Sequence, residues 1–423
     1  MTTTDPRTSR RALAAIPVLV VSLGFLSNFF ARGVVDTFMV FMQPLEAEFG
    51  WRHDDLTQVY SVYLITLGVM SPLTGMIIDS WGPRVSYLGG ACCLALAMFI
   101  AGRTTALWHL YISAGALCGA ASSLMGMVPA AALIGRWFDR NMSVGIAIAY
   151  SGFGSGMLAV VPLAQAGIDH LGWRETYAIL FWCVAGAIPL LLVLPWRIIA
   201  QGAEGNPRAR GTPRPGTAPE AEWTLRHALR TKEFWLLVQA FFFTAVAAYL
   251  TTVQTIAFLI DRGFPALSAA FAFGVAGMLS IFGVLISGWA SVRFGIRRST
   301  LISFLGTFVG LVALLAFSFW PLGLFVLVFV ICFGTSQGAR GPVISSLNAR
   351  IFARGRVSSI YGLIFMLMSF GAAFGSWLSG RLYVWTGDYS AAFAVAALAV
   401  ILAAAPFFAT RRLTEARELP PPR

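Results

Sequence analysis

Apolar residues run along this chain in blocks too long for the elements of a soluble core, broken only by short polar clusters. A helix needs roughly 20 predominantly apolar residues to cross a bilayer. The blocks at 13–42, 56–78, 85–102, 107–135, 142–168, 176–196, 234–260, 267–292, 299–319, 322–349, 357–382 and 389–410 meet or approach that length. The pattern predicts an all-α membrane protein with twelve transmembrane helices. The first block is too long for the core of a cleavable leader and is expected to remain as the first span. One long polar stretch separates the first six blocks from the last six. With Pro207, Pro213, Pro215 and Pro219 it reads as an irregular linker, and a short amphipathic helix is expected from Trp223 to Leu229. The expected organisation is a six-helix half over 1–196, a linker over 197–233, and a second half with a tail over 234–423.

Composition agrees with this pattern and narrows the function. Of the 423 residues 58% are hydrophobic and 11% charged, with mean hydropathy +0.76. Soluble domains carry roughly 25% charged residues, so a soluble enzyme and a disordered chain are both excluded. The net charge of +12 does not indicate nucleic acid, because the basic residues cluster between apolar blocks. With the N-terminus inside, 23 of them fall on the cytoplasmic side and five (Arg52, Arg103, Arg174, Arg262, Arg381) outside. This asymmetry predicts a multi-pass protein of the inner cell membrane with both termini and the linker cytoplasmic. Five cysteines (Cys92, Cys93, Cys118, Cys183, Cys332) lie within apolar blocks and four histidines are widely separated, so no metal and no cofactor are expected. No Walker motif, HExxH or paired intramembrane carboxylates are present, which argues against ATP hydrolysis and membrane-embedded catalysis.

The chain repeats itself across the linker. Gly75-Met-Ile-Ile-Asp79-Ser-Trp-Gly82-Pro-Arg84 is echoed 213 residues later by Gly288-Trp-Ala-Ser-Val292-Arg-Phe-Gly295-Ile-Arg297. Arg136-Trp-Phe-Asp139-Arg140 recurs at an offset of 214 as Arg350-Ile-Phe-Ala-Arg354, and Gly172 matches Gly387 at 215. Nearly one offset at three corresponding loops implies two six-span halves in the same orientation, the pattern of a transporter with its site between the halves.

The motif Gly75-x-x-x-Asp79-x-x-Gly82-x-Arg84 resembles the signature loop of the major facilitator superfamily, and the stretch from Arg136 to Gly152, with Gly172-Trp-Arg and Gly380–Gly387, resembles monocarboxylate-type transporters of that superfamily. The resemblance spans nearly the whole chain. It implies that helices 1, 4, 7 and 10 line a central cavity. The second copy has Val292 where the first has Asp79, so a latch built on that carboxylate is expected in the first half alone. Gly75, Asp79, Gly82, Arg84, Arg136, Asp139 and Arg140 are the candidate latch.

Ionisable groups inside spans are costly and mark function by default. Arg32 and Asp36, spaced i, i+4, share a face of helix 1 with Asn28 one turn earlier. Arg340 stands in helix 10 among Gly334, Gly338 and Gly341, small residues that leave room for a ligand or another backbone. An intramembrane guanidinium needs a counter-ion, and an anionic substrate supplies one through a forked, charge-assisted bond. Arg340 and Arg32 are the leading substrate-binding candidates. Asn28, Tyr150, Tyr249 and Gln254 are weaker ones, as are Tyr60, Tyr63 and Ser151. Asp36, the one carboxylate within a span, is the candidate proton carrier. The expected function is secondary active transport of a small organic anion, a monocarboxylate, by alternating access in a monomer, with proton coupling where symport operates. The alternatives are carboxylate/carboxylate antiport, multidrug-type efflux and a non-transporting membrane sensor.

Overall fold

The computed structural model describes residues 6–51, 53–139, 141–203, 223–264, 266–353 and 357–409. Arg140, most of the linker (204–222) and the tail beyond 409 lie outside the described residues. Twelve helices are long and apolar enough to cross a bilayer: α1 (Ile16–Met42), α2 (Gln58–Ser80), α3 (Pro83–Ala101), α4 (Leu107–Trp137), α5 (Met142–Leu171), α6 (Trp173–Val193), α7 (Lys232–Thr252), α8 (Ala272–Arg293), α9 (Ile296–Phe319), α10 (Gly323–Ile351), α11 (Val357–Thr386) and α12 (Ser390–Phe408). Helical backbone continues past α7 to Asp261 and precedes α8 from Ala266. The spans alternate in direction, which defines a terminal face, where α1 begins and α12 ends, and a distal face opposite.

Packing repeats with the sequence. In the first half α1 packs on α5, α2 on α4 and α3 on α6; in the second, α7 packs on α11, α8 on α10 and α9 on α12. Enclosure differs among spans. The apolar window of α4 is 78% buried, whereas those of α6 and α8 are only 28% buried. Leu190 and Val193 on α6 are exposed, as suits a helix whose outer face meets lipid tails instead of protein.

Two helices of the first half are irregular for identifiable reasons. α1 is helical to Asp36, turns at Thr37, whose hydroxyl donates to the Val34 carbonyl at 2.6 Å, and resumes over Phe38–Phe49. α4 contains a π-helical turn at Tyr111–Leu117 and breaks at Gly126 (φ −88°, ψ −140°). Pro129, three residues on, has no N–H with which to carry the ladder across that break.

The halves meet along two related seams, α2 with α11 and α5 with α8. Close approach demands glycine at matching points. A Cβ on Gly75 would collide with the Ser358 backbone, and one on Gly288 would lie 2.6 Å from the Ala147 Cβ and 2.9 Å from the Ser143 carbonyl. The contacts run from the terminal face to mid-membrane, the deepest including Gly68 against Ser369 and Gly154 against Ile281. The terminal face is therefore closed.

Candidate functional site

Just distal to these seams, α1 presents Arg32 and Asp36. Arg32 Nε donates to Asp36 Oδ2 at 2.7 Å, Nη1 to the Tyr63 hydroxyl and Nη2 to the Tyr60 hydroxyl, each at 3.2 Å. Tyr60 and Tyr63 both belong to α2, so the planar fork of the guanidinium ties α1 to α2 in a way a single ammonium could not reproduce. Tyr63 donates onward to Ser122 Oγ of α4 at 3.5 Å, the long end of hydrogen-bond range. The Tyr60 hydroxyl accepts from Arg32 and retains its own proton for an incoming acceptor. Tyr249 on α7 stands within electrostatic range of Arg32, Tyr60 and Tyr63 and brings a hydroxyl from the second half.

Exposure divides the ion pair. The Asp36 side chain is 5% exposed and that of Arg32 26%. A mid-membrane guanidinium is thus reachable while its carboxylate is shut away. Within the low-dielectric bundle the pair offsets much of the several kcal/mol that each isolated ion would cost.

The other predicted residues lie elsewhere. Asn28 is fully buried, donating to the Ala149 carbonyl of α5 at 3.1 Å and the Gly24 carbonyl at 2.8 Å, so it joins α1 to α5. Tyr150 sits in the closed seam, its hydroxyl 3.2 Å from both the Met127 carbonyl and the Tyr361 hydroxyl of α11. Ser151 is buried and donates to the Ile148 carbonyl at 2.7 Å. Gln254 donates to Ser379 Oγ of α11 at 3.2 Å, inside its own half.

Arg340 departs from the expectation that it and Arg32 line one cavity. Its side chain points to α9, where Nη1 donates to Thr307 Oγ1 at 2.8 Å and the guanidinium lies 5.0 Å from the Phe304 ring centre. It is 2% exposed, and its Nε is buried without a hydrogen-bond partner among the described residues. The flanking glycines leave no ligand space. A Cβ on Gly338 would press on Val284 and the Ser280 carbonyl of α8, and one on Gly341 would touch the Tyr150 ring. Of the two uses that the small residues allow, a ligand or another backbone, the structure shows the second: they admit α8 and a seam side chain.

The signature loop acts at the terminal face. Gly82 adopts φ 86° and begins α3, and Gly295 adopts φ 86° at the matching point before α9. Asp79 Oδ2 accepts from the Ser359 backbone N–H at 3.0 Å and the Ser359 hydroxyl at 2.8 Å. The carboxylate thereby caps the first turn of α11 in the opposite half, where unpaired N–H groups and the helix dipole favour negative charge. Such charged hydrogen bonds contribute about 1.5–3 kcal/mol each. The pseudo-equivalent Val292 can form no such cap. Ser143 and Ser346 add a cross-half hydrogen bond of 2.9 Å, and Arg350 Nη2 donates to the Asp139 carbonyl at 2.9 Å.

The remaining latch candidates do different work. Arg84 is exposed. Arg136 Nη1 donates to the Ala200 carbonyl at 3.2 Å, and Trp137 Nε1 to that of Ile199 at 2.9 Å. Together they fasten the short helix Trp196–Gln201, which follows α6, to the end of α4. Ser359 and Tyr361 carried no motif in the sequence; only the fold reveals them as receivers across the seam.

A family model described as Major Facilitator Superfamily matches residues 21–361. The chain belongs to this superfamily. Curated relatives include monocarboxylate transporter 13 of Bos taurus, 29% identical over 379 residues and covering 89% of this chain and 85% of that protein. Monocarboxylate transporter 4 of Mus musculus is 26% identical over 384 residues, with 89% and 79% covered. Among solved structures, the E. coli fucose:proton symporter superposes with a TM-score of 0.72 at 14% identity, covering 93% of this chain and 98% of that one. A bacterial homologue of the iron transporter ferroportin, in an outward-facing state, gives 0.70 at 18% identity over 92% and 98%. The protein is a multi-pass membrane transporter homologous to monocarboxylate transporters, with the major facilitator fold.

Proposed function

We propose that this transporter moves a small organic anion, a monocarboxylate, across the cytoplasmic membrane by alternating access and in symport with a proton. The observation that carries the reading is Arg32: a mid-membrane guanidinium 26% exposed beside a buried acid, collared by Tyr60 and Tyr63 and within electrostatic range of Tyr249 from the other half. A carboxylate arriving there accepts from the guanidinium fork and from the Tyr60 hydroxyl, and Tyr249 closes on it when the halves converge. Asp36 occupies Nε. Its protonation frees that donor, so proton and substrate favour each other at one site and the loaded site gains no net charge. A cationic drug finds Arg32 repulsive and one buried acid to hold it, which speaks against a multidrug role. Arg340 we assign to holding α10 on α9. The 23-to-5 distribution of basic residues supports a cytoplasmic terminal face, making the observed state closed to the cytoplasm.

The test is uptake into proteoliposomes with a panel of labelled mono- and dicarboxylates, with and without an imposed pH gradient. The reading expects saturable monocarboxylate uptake, concentrative under an inward proton gradient. Asp36→Asn should lose that accumulation while keeping exchange. Uptake of sugars or cations with no carboxylate transported would sink the anion assignment. Carboxylate uptake indifferent to the gradient would sink the coupling alone.

A further inference from the structure

At the distal face each half is fastened by an ion pair, and the two pairs have opposite polarity. In the first half Glu48 Oε1 pairs with Arg174 Nη1 at 2.6 Å, and Glu48 Oε2 accepts from Trp173 Nε1 at 2.6 Å. In the second half Arg262 Nη2 pairs with Asp388 Oδ1 at 2.9 Å, and Nη1 donates to the Ser318 carbonyl at 3.1 Å. Glu48 and Arg262 are 214 residues apart, and so are Arg174 and Asp388. That spacing is the repeat offset, so the pairs occupy equivalent places: the distal tips beyond α1 and α7, clasped to the starts of α6 and α12. The acid stands on the α1 tip in one half and the base on the α7 tip in the other.

The two halves are related by a pseudo-twofold axis along the membrane normal. The terminal face already obeys it, since Gly75 against Ser358 and Gly288 against Val144 are the same contact made twice. Tips of equivalent cavity helices approach each other across such an axis when their face closes. Like charges on the α1 and α7 tips would then repel, whereas inverted charges attract. Arg262 also has capacity to spare. Its Nε is buried without a partner among the described residues, while its side chain remains 32% exposed and that of Glu48 38% exposed.

We infer that Glu48 and Arg262 form a distal gate, pairing across the halves when the distal face closes and returning to their own halves when it opens. This rests on the alternating-access reading above. The gate is the counterpart of the Asp79 latch, so each face is held shut by a carboxylate of the first half: Asp79 on the N-terminus of α11 at one face, Glu48 on Arg262 at the other.

The experiment replaces the five native cysteines and introduces Glu48→Cys with Arg262→Cys, probed by a short bifunctional thiol reagent in proteoliposomes. A parallel protein carries Ser143→Cys with Ser346→Cys as a reporter of the terminal seam. With Asp79→Asn added to bias the terminal face open, cross-linking of the distal pair should rise several-fold as that of the seam pair falls. A seam that opens while the distal pair stays unlinked overturns the gate but leaves alternating access intact. A seam that never opens, under substrate or with Asp79→Asn, overturns alternating access and the gate together. Glu48→Gln and Arg262→Gln supply the second measure. If the residues belong only to separate clasps, their effects on exchange rate multiply. The gate expects the double variant to stay within about twofold of the slower single one.

Discussion

Arg32 and Arg340 are both arginines within apolar spans, yet their surroundings separate them. Arg32 has an acid, two phenols on its fork and a side chain 26% exposed; Arg340 has one threonine, one aromatic face and is 2% exposed. Removing a buried charge partner typically costs about 2–5 kcal/mol, so Arg32→Gln should weaken carboxylate binding roughly 30-fold or more. Arg32→Lys should retain part of the affinity, because the charge stays but two hydroxyls can no longer be held at once. Binding measured in detergent checks both, with Arg32→Gln/Asp36→Asn as the variant that leaves no unpaired acid. Arg340→Met is the opposite case. It removes a guanidinium that no carboxylate among the described residues neutralises and keeps an apolar stem against Phe304, so half-saturation should stay within about twofold and thermal stability should not fall. A large rise in half-saturation with normal folding would return Arg340 to the substrate site. The carboxylates of both distal clasps titrate below the ordinary carboxylate value. Donors from Trp173 and Arg174 hold Glu48 below the usual carboxylate value. At Asp388 burial pushes the value up, and hydrogen bonds from Ser390, Arg262 and the Tyr389 N–H outweigh it. Groups with lowered values lose their contribution only as pH falls through those values, so both clasps persist near neutrality.

At the scale of elements, seam and latch depend on what helix ends and helix surfaces offer. The first turn of α11 has N–H groups that nothing inside the helix can satisfy, and Asp79 reaches them only because Gly75 lets α2 lie directly on α11. Asp79→Asn keeps an acceptor but loses the charge. It should weaken closure of the terminal face by about 1–2 kcal/mol, roughly a 5–30-fold shift in population. Gly75→Leu should prevent closure outright, since its side chain would occupy the space of the Ser358 backbone. Labelling of Ser143→Cys from the terminal side reads both, and should be slow in the parent and fast in the variants. Equal labelling in all three would remove Asp79 and Gly75 from the latch.

For the whole molecule, two bundles of like packing meet along two related seams; the proposed alternating access has them rock about a shared axis, in the orientation that the positive-inside distribution predicts. Cysteines placed in the linker at 204–222 should react with a membrane-impermeant reagent only in inverted vesicles. Reaction in intact cells would reverse the topology and with it the face that Asp79 closes. The short helix Trp196–Gln201 and the buried Trp223 anchor the two ends of that linker on the bundles, so the halves are joined through fastened ends.

The sequence alone determined the spans and the duplication, because each is written locally: a bilayer demands long apolar runs, and a duplicated half keeps its glycines where backbones touch. Arg32 and Asp36 were legible for the same reason, since an i, i+4 spacing places two side chains on one face whatever the rest of the chain does. Tertiary structure decided what those groups meet. Nothing local directs Arg340 to Thr307 on α9 or marks Ser359 as the receiver of Asp79, because residues 33 and 280 positions apart in sequence become neighbours only through packing. The inverted clasps lie between: their spacing is in the sequence, but their pairing exists only once the tip beyond α1 has met the start of α6 and α7 has packed on α12.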